Sequence, residues 1–171
     1  MLVSLNLHPD SECDAVTAIG VEVARQANGL LMLRYEVTGE IIRLRIPAAD
    51  KGARANELWK HTCFEAFVMQ AGGAYVEFNF SPSLSWAAYH FDRYREGMRD
   101  LVTSAPQIEV QRDERSLAVI VRTEFPATGR LGLSAVIEMR SGDVSYWALA
   151  HPAGSADFHH PVGFGPELRY L

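Results

Sequence analysis

Apolar residues fall at every second position through most of this chain. Val3, Leu5 and Leu7 alternate with Ser4 and Asn6, and Ile19, Val21 and Val23 share one face of residues 17–25. Side chains two apart point to the same side of an extended chain, so this period predicts strands. Residues 30–37 read as another strand, Thr38-Gly39-Glu40 as a tight turn, and Ile42, Leu44 and Ile46, alternating with Arg43 and Arg45, as the return of a hairpin. Further hairpins are expected at 64–80 around Ala71-Gly72-Gly73-Ala74, at 108–122 around the polar turn 112–116, and at 133–149 around Arg140-Ser141-Gly142-Asp143. Residues 48–60 are polar and read as a loop. In 85–95, Trp86, Tyr89 and Arg93 would share a helix face, but the aromatic content and the preceding serines and proline favour a strand over 86–91. About ten strands with short turns predict an all-β, mostly antiparallel two-layer sandwich.

Composition narrows the function more than the fold. With 171 residues, 48% of them hydrophobic, the chain fits a single domain over 1–171 that buries a core without staples. A net charge of −5 and the lack of a basic stripe argue against nucleic acid as a partner. No apolar run reaches membrane-spanning length, and MLVSLNLHPDSECD has neither the basic start nor the apolar stretch of a signal peptide. Cys13 and Cys63 are therefore expected as reduced thiols, in the cytoplasm of a prokaryote.

The chemistry concentrates in residues 57–98, which hold two of the three tryptophans. Glu77 and Asn79 share one strand face, as do Cys63, Glu65 and Phe67. If the two strands pair through the turn, Glu65 meets the Glu77/Asn79 face, and a carboxylate beside an amide can fork two sugar hydroxyls. The same residues also fit a solvated polar face. Two carboxylates can act together in glycoside hydrolysis, but nothing else in the sequence indicates a catalytic cleft. Trp59, Trp86, Tyr89 and Tyr94 are candidate rings for stacking on a ligand, against core or rim packing. Arg93 and Arg95 are candidates to grip an acidic group, against an ordinary surface role.

At LWKHTCFEAF (58–67), YVEFNFSPS (75–83), WAAYHFDRYREGM (86–98) and YWALAHPAGSADFHHPVGF (146–164) the chain resembles the DOMON-like domains, akin to family 9 carbohydrate-binding modules. The subgroup it resembles most is named for domains encoded near the cell-wall enzyme MurB. The resemblance implies an immunoglobulin-like β-sandwich that binds either sugar or haem. It also implies that Trp59, preceding the E-x-F strand, and Glu65 within that strand face the ligand. A second clamping aromatic would come from the C-terminal part, where Trp147 is the candidate, although its strand setting fits core packing equally.

His61, Cys63, His151, His159, His160 and Asp157 carry donor atoms that suit zinc, but their spacing matches no standard zinc signature. The adjacent pair His159-His160 reads instead as a loop in which one imidazole bonds to the sandwich. Haem would draw on Met69, Met98 or Met139 and a histidine, and no C-x-x-C-H motif is present. The expectation is a non-catalytic domain binding a saccharide or cell-wall-precursor-like ligand, with no cofactor, metal, nucleic acid or membrane. Trp59, Trp86 and Tyr89 would supply rings, Glu65, Glu77 and Asn79 would take hydroxyls, and Arg95 would meet an acidic substituent. A protein-interaction or homodimerisation domain is the second reading, and a haem-binding domain the third.

Overall fold

The computed structural model describes residues 1–168, and among them twelve strands carry the fold. They are β1 (Leu2–Leu7), β2 (Val16–Arg25), β3 (Leu31–Gly39), β4 (Cys63–Met69), β5 (Tyr75–Phe80) and β6 (Trp86–Phe91). After them come β7 (Arg99–Asp100), β8 (Gln107–Arg112), β9 (Ser116–Thr123), β10 (Arg130–Glu138), β11 (Val144–Ala148) and β12 (Phe164–Glu167). The chain is all-β, and the paired strands run antiparallel in the order β7-β6-β5-β4-β10-β11-β1-β2-β3-β9-β8, with β12 added beside β10. Among the described residues no helix is long and apolar enough to cross a membrane.

The first strand makes the sheet continuous. Residues Leu2 to Leu5 pair with β2, while Asn6 and Leu7 pair with Ala148 and Trp147 of β11. The sheet curls, and its two halves meet across one core. Val21, Leu33 and Val37 from one half and Phe64, Phe78 and Leu133 from the other are buried in the same cluster. Burying each such side chain contributes about 1.5–3 kcal/mol. One polar tie crosses the core: the Tyr35 hydroxyl donates to the Glu65 carbonyl at 2.7 Å, with its ring 5.1 Å from that of Phe64.

The sequence misleads at residues 41–46. No return strand pairs with β3, whose two edges are already filled by β2 and β9. Ile41–Arg43 forms a 3-10 turn instead, and Leu44 makes only an isolated bridge to Met139. The buried residues here are Ile41 and Leu44, three apart, while Ile42 is 72% exposed. The alternation of Ile42, Leu44 and Ile46 with arginines is coincidental to the packing.

The strands β4, β5 and β6 are buried on both faces. Phe64, Ala66, Val68, Val76, Phe78 and Trp86 point into the main core. On the opposite face Phe67, Tyr75, Ala87, Tyr89, Phe91 and Phe164 form a second, aromatic cluster. Glu65, Glu77 and Asn79 lie on that opposite face and are only 3%, 6% and 1% exposed. They do not form a solvated polar face, because loops cover that side of the sheet.

Candidate ligand-binding site

Register decides what gathers on the covered face. Glu65 lies opposite Asn79 on β5 and Ser134 on β10, and Glu77 lies opposite Phe67 on β4 and Tyr89 on β6. Three segments rise around this floor. Residues 56–61 carry Trp59 in the 3-10 turn Leu58–Lys60, residues 92–98 join β6 to β7, and residues 149–163 follow β11. Together they enclose a cavity of about 790 Å³ with Glu65, Glu77 and Tyr89 in its lining. Trp59, Phe91, Tyr146 and Phe158 add aromatic surface. Trp59 is half exposed and Tyr146 is 37% exposed, so both residues keep surface open to solvent.

Among the described residues each of the two carboxyls has one hydrogen-bond donor. The Ser134 hydroxyl donates to Oε2 of Glu65 at 3.1 Å, and the Asn79 amide donates to Oε1 of Glu77 at 2.6 Å. Burial, reinforced by the nearby Glu77 charge, pushes the Glu65 carboxyl well above its ordinary range. Burial also pushes Glu77 up to about 7, against the opposing pull of the Asn79 amide and the Arg95 charge. The result is a pocket floor that holds protons near neutral pH.

His159 is largely buried above this floor, with its side chain 16% exposed. Desolvation and the charge of Arg95 lower its pKa to about 4, so the ring is neutral. The backbone N–H of Arg95 donates to the Tyr75 oxygen at 3.1 Å, which leaves the Tyr75 hydroxyl to donate to Nδ1 of His159 at 2.7 Å. That pairing places the imidazole proton on Nε2, which lies 3.8 Å from Oε2 of Glu77. With the ring neutral, this approach is not an ion pair. Arg95 itself is held by Asp157: its guanidinium donates to Oδ1 at 2.7 Å, the His159 backbone N–H donates to the same oxygen at 3.1 Å, and the Tyr94 hydroxyl donates to Oδ2. Two non-glycine residues at the cavity, Glu57 (φ 60°) and Arg95 (φ 56°), have left-handed backbone, a conformation that costs of order 1–3 kcal/mol and is found where a site demands it.

The expected residues divide into two groups. Trp59, Glu65, Glu77, Tyr89 and Arg95 line the cavity. Asn79 stands behind Glu77 and orients it rather than facing the cavity. Trp86 is 6% exposed and packs in the main core, its face covered by the Arg54 guanidinium at 4.5 Å. Its position on β6 gives it the parity of Ala88, opposite to that of Tyr89. Trp147 is also core, its indole N–H donating to the Ser145 hydroxyl at 3.0 Å. Arg93 pairs with Glu96 in the 92–98 loop.

The donor atoms suited to zinc are dispersed. His61 binds Glu138 at 2.8 Å, Cys63 is buried beside Asn79, His151 contacts His8, and His160 accepts from the Val162 N–H. Among the described residues no group of three or more His, Cys, Asp or Glu is placed to hold a metal ion. His159 is the imidazole that ties the late loop to the sheet. Of the methionines considered for haem, Met98 lines the cavity, Met139 is in the core and Met69 packs against the aromatic cluster.

Sequence reasoning missed Tyr75 and Tyr146 as site residues. The signal for Tyr146 was present: adjacent strand residues face opposite ways, so a core Trp147 sends Tyr146 to the other side. Asn56 and Phe158 come from loops and Asp100 from the two-residue strand β7, none with a periodic signal.

No family model matches the chain, and no curated protein matches it in sequence. The fold matches the crystal structure of a protein from Bacteroides uniformis described as a putative carbohydrate-binding protein, with a TM-score of 0.67 over 96% of this chain and 84% of that one. The two are 13% identical, so the match establishes a shared fold.

Proposed function

We propose that this chain is a non-catalytic, DOMON-like sandwich domain that binds a saccharide in the cavity over β4, β5, β6 and β10. The observation that carries this reading is the pairing of buried carboxyls with exposed rings around one concavity. Glu65 and Glu77 sit at its floor, and Trp59 and Tyr146 are exposed at its walls. A protonated carboxyl both donates and accepts hydrogen bonds, which suits hydroxyls that do the same. Aromatic faces offer apolar area to the C–H faces of a sugar ring. The likeness in fold to a protein described as carbohydrate-binding agrees with this reading.

Trp59 borders a concave cavity rather than a flat apolar patch, which favours a small ligand over an assembly surface. Haem has less support, because the buried imidazole at the cavity, His159, already engages Tyr75 through Nδ1 and faces Glu77 through Nε2. Isothermal titration against a panel of mono- and disaccharides tests the proposal directly. Heat of binding that disappears in Trp59→Ala is the expected result, and silence across the whole panel removes the reading.

A further inference from the structure

We propose that the cavity selects a ligand with a protonated amine, seated against Glu65 and Glu77, so that an amino sugar with a free amine is preferred over neutral, N-acetylated and acidic sugars. The sugar part rests on the saccharide reading above. The amine part rests on the distribution of charge around the cavity.

Four acidic residues line the cavity: Glu57, Glu65, Glu77 and Asp100. Among the described residues Arg95 is the one arginine or lysine in the lining, and its guanidinium is engaged by Asp157 at 2.7 Å. At the rim, Glu57 is paired with Lys60 at 2.8 Å, and Asp100 has Arg54 at 3.8 Å. The floor has no such partner. Among the described residues, Glu65 pairs with no cation, and Glu77 approaches only the neutral His159. Among the described residues no side-chain or backbone donor bonds to Oε1 of Glu65 or Oε2 of Glu77, although both residues are more than nine-tenths buried. Two carboxyl oxygens that open onto the cavity from otherwise buried residues match the three N–H donors of an ammonium group. The faces of Trp59, Tyr89, Tyr146 and Phe158 also attract a cation. The Trp59 ring already has the Lys60 ammonium 5.7 Å from its centre. An acidic substituent would meet no unpaired cation among the described residues of the lining.

Binding carries a proton balance. The amine enters as R–NH₃⁺, the carboxyl it meets ionises, and the proton leaves to solvent. The titratable and charged groups beside Glu77 and Glu65 are Tyr35, Cys63, Tyr75, Tyr89, His159 and Arg95.

The experiment is calorimetry on the full chain at pH 7, in two buffers of different ionisation enthalpy. The probes are glucosamine, N-acetylglucosamine, glucose, glucuronate and the sugar-free amine cyclohexylamine. Glucosamine is expected to bind at least about tenfold tighter than glucose or N-acetylglucosamine, as a charged hydrogen bond supplies, with protons released to the buffer. Glu77→Gln should collapse the ratio between glucosamine and glucose, and Glu65→Gln provides the same test if the first variant is poorly folded. Equal affinity for glucose and glucosamine, or preference for glucuronate, overturns the amine assignment and leaves the saccharide reading standing. Binding of cyclohexylamine as tight as glucosamine, with no affinity for glucose, upholds the amine and removes the sugar. Binding by none of the five overturns both.

Discussion

The Tyr75 hydroxyl lies 2.7 Å from Nδ1 of His159, tying strand β5 to a loop 84 residues further along the chain. The same oxygen accepts the backbone N–H of Arg95, so one phenol anchors two of the three segments that wall the cavity. Its ring stacks on Phe91 at 4.7 Å, a contact that phenylalanine would keep. Tyr75→Phe therefore removes the hydroxyl ties alone. It leaves a partly buried N–H and a partly buried imidazole nitrogen without partners, which costs about 1 kcal/mol. Urea denaturation should show that loss, and binding should weaken with it. An unchanged unfolding midpoint would mean that the walls are held by something else.

Trp59 and Trp86 make a paired test of site against core. Trp59 is 50% exposed at the cavity mouth, and Trp86 is 6% exposed within the main cluster. Trp59→Ala should change stability by less than about 0.5 kcal/mol and abolish ligand binding. Trp86→Ala should cost about 3–5 kcal/mol. It also leaves Arg54 without the ring it covers. Melting curves of the two variants separate the roles. A large drop in melting temperature for Trp59→Ala would remove the proposed site's outer wall from consideration.

Acid and base act on this site in opposite senses. Glu77 has its folded pKa raised from 4.5 to about 7, and Glu65 is raised as well. A raised group binds more protons when folded, so its contribution is fully present below about pH 4.5 and is lost as pH rises through about 7. His159 is lowered from 6.5 to about 4, so its contribution is present above pH 6.5 and is lost as pH falls through 4. Glu77→Gln keeps an oxygen for the Asn79 amide and removes the titration. Its melting temperature should therefore gain on the parent progressively from pH 5 to pH 8. A constant difference across that range would show that Glu77 does not titrate there.

The period-two pattern revealed the strands because one face of nearly every strand enters the main core. It also put Glu77 and Asn79 on one face and let Glu65 meet them if the β4–β5 hairpin took the right register. The expected turn over 71–74 would set Glu65 against Phe80, and the observed pairing of Glu65 with Asn79 is what brings the three together. What it could not show is that the face is covered. Glu65 and Glu77 look like solvent-facing positions in a strand, and only the packing of Phe158, His159 and Phe164 over the sheet makes them buried. The parity of β6 misled in the other direction: a tryptophan beside two serines reads as a ring for a ligand, yet Trp86 shares its face with Ala88 in the core. Residues 41–46 failed for a different reason. A 3-10 turn buries positions three apart, and Ile41 and Leu44 met that requirement inside a run that also alternates.

The last prediction concerns Asp157, because it decides what Arg95 is free to do. From sequence, Arg95 was expected to meet an acidic substituent on the ligand. In the structure its guanidinium binds Asp157, which also accepts the backbone N–H of His159 and the hydroxyl of Tyr94. The pair is partly exposed, with side-chain exposures of 52% and 17%, so it contributes at most about 1 kcal/mol to stability. Its larger effect is on charge. Asp157→Ala removes one negative charge and leaves an unpaired guanidinium on the cavity lining, while the hydrogen bond from the Arg95 N–H to Tyr75 is untouched. Titration with glucuronate and glucosamine should then show affinity for the acidic sugar rising and that for the amine falling, with the protein still folded. Removing the second charge as well, in Asp157→Ala/Arg95→Ala, should cancel the gain for glucuronate. If Asp157→Ala leaves the ratio of the two affinities where it was, Arg95 lies outside the ligand's reach and the preference is set at the floor by Glu65 and Glu77 alone.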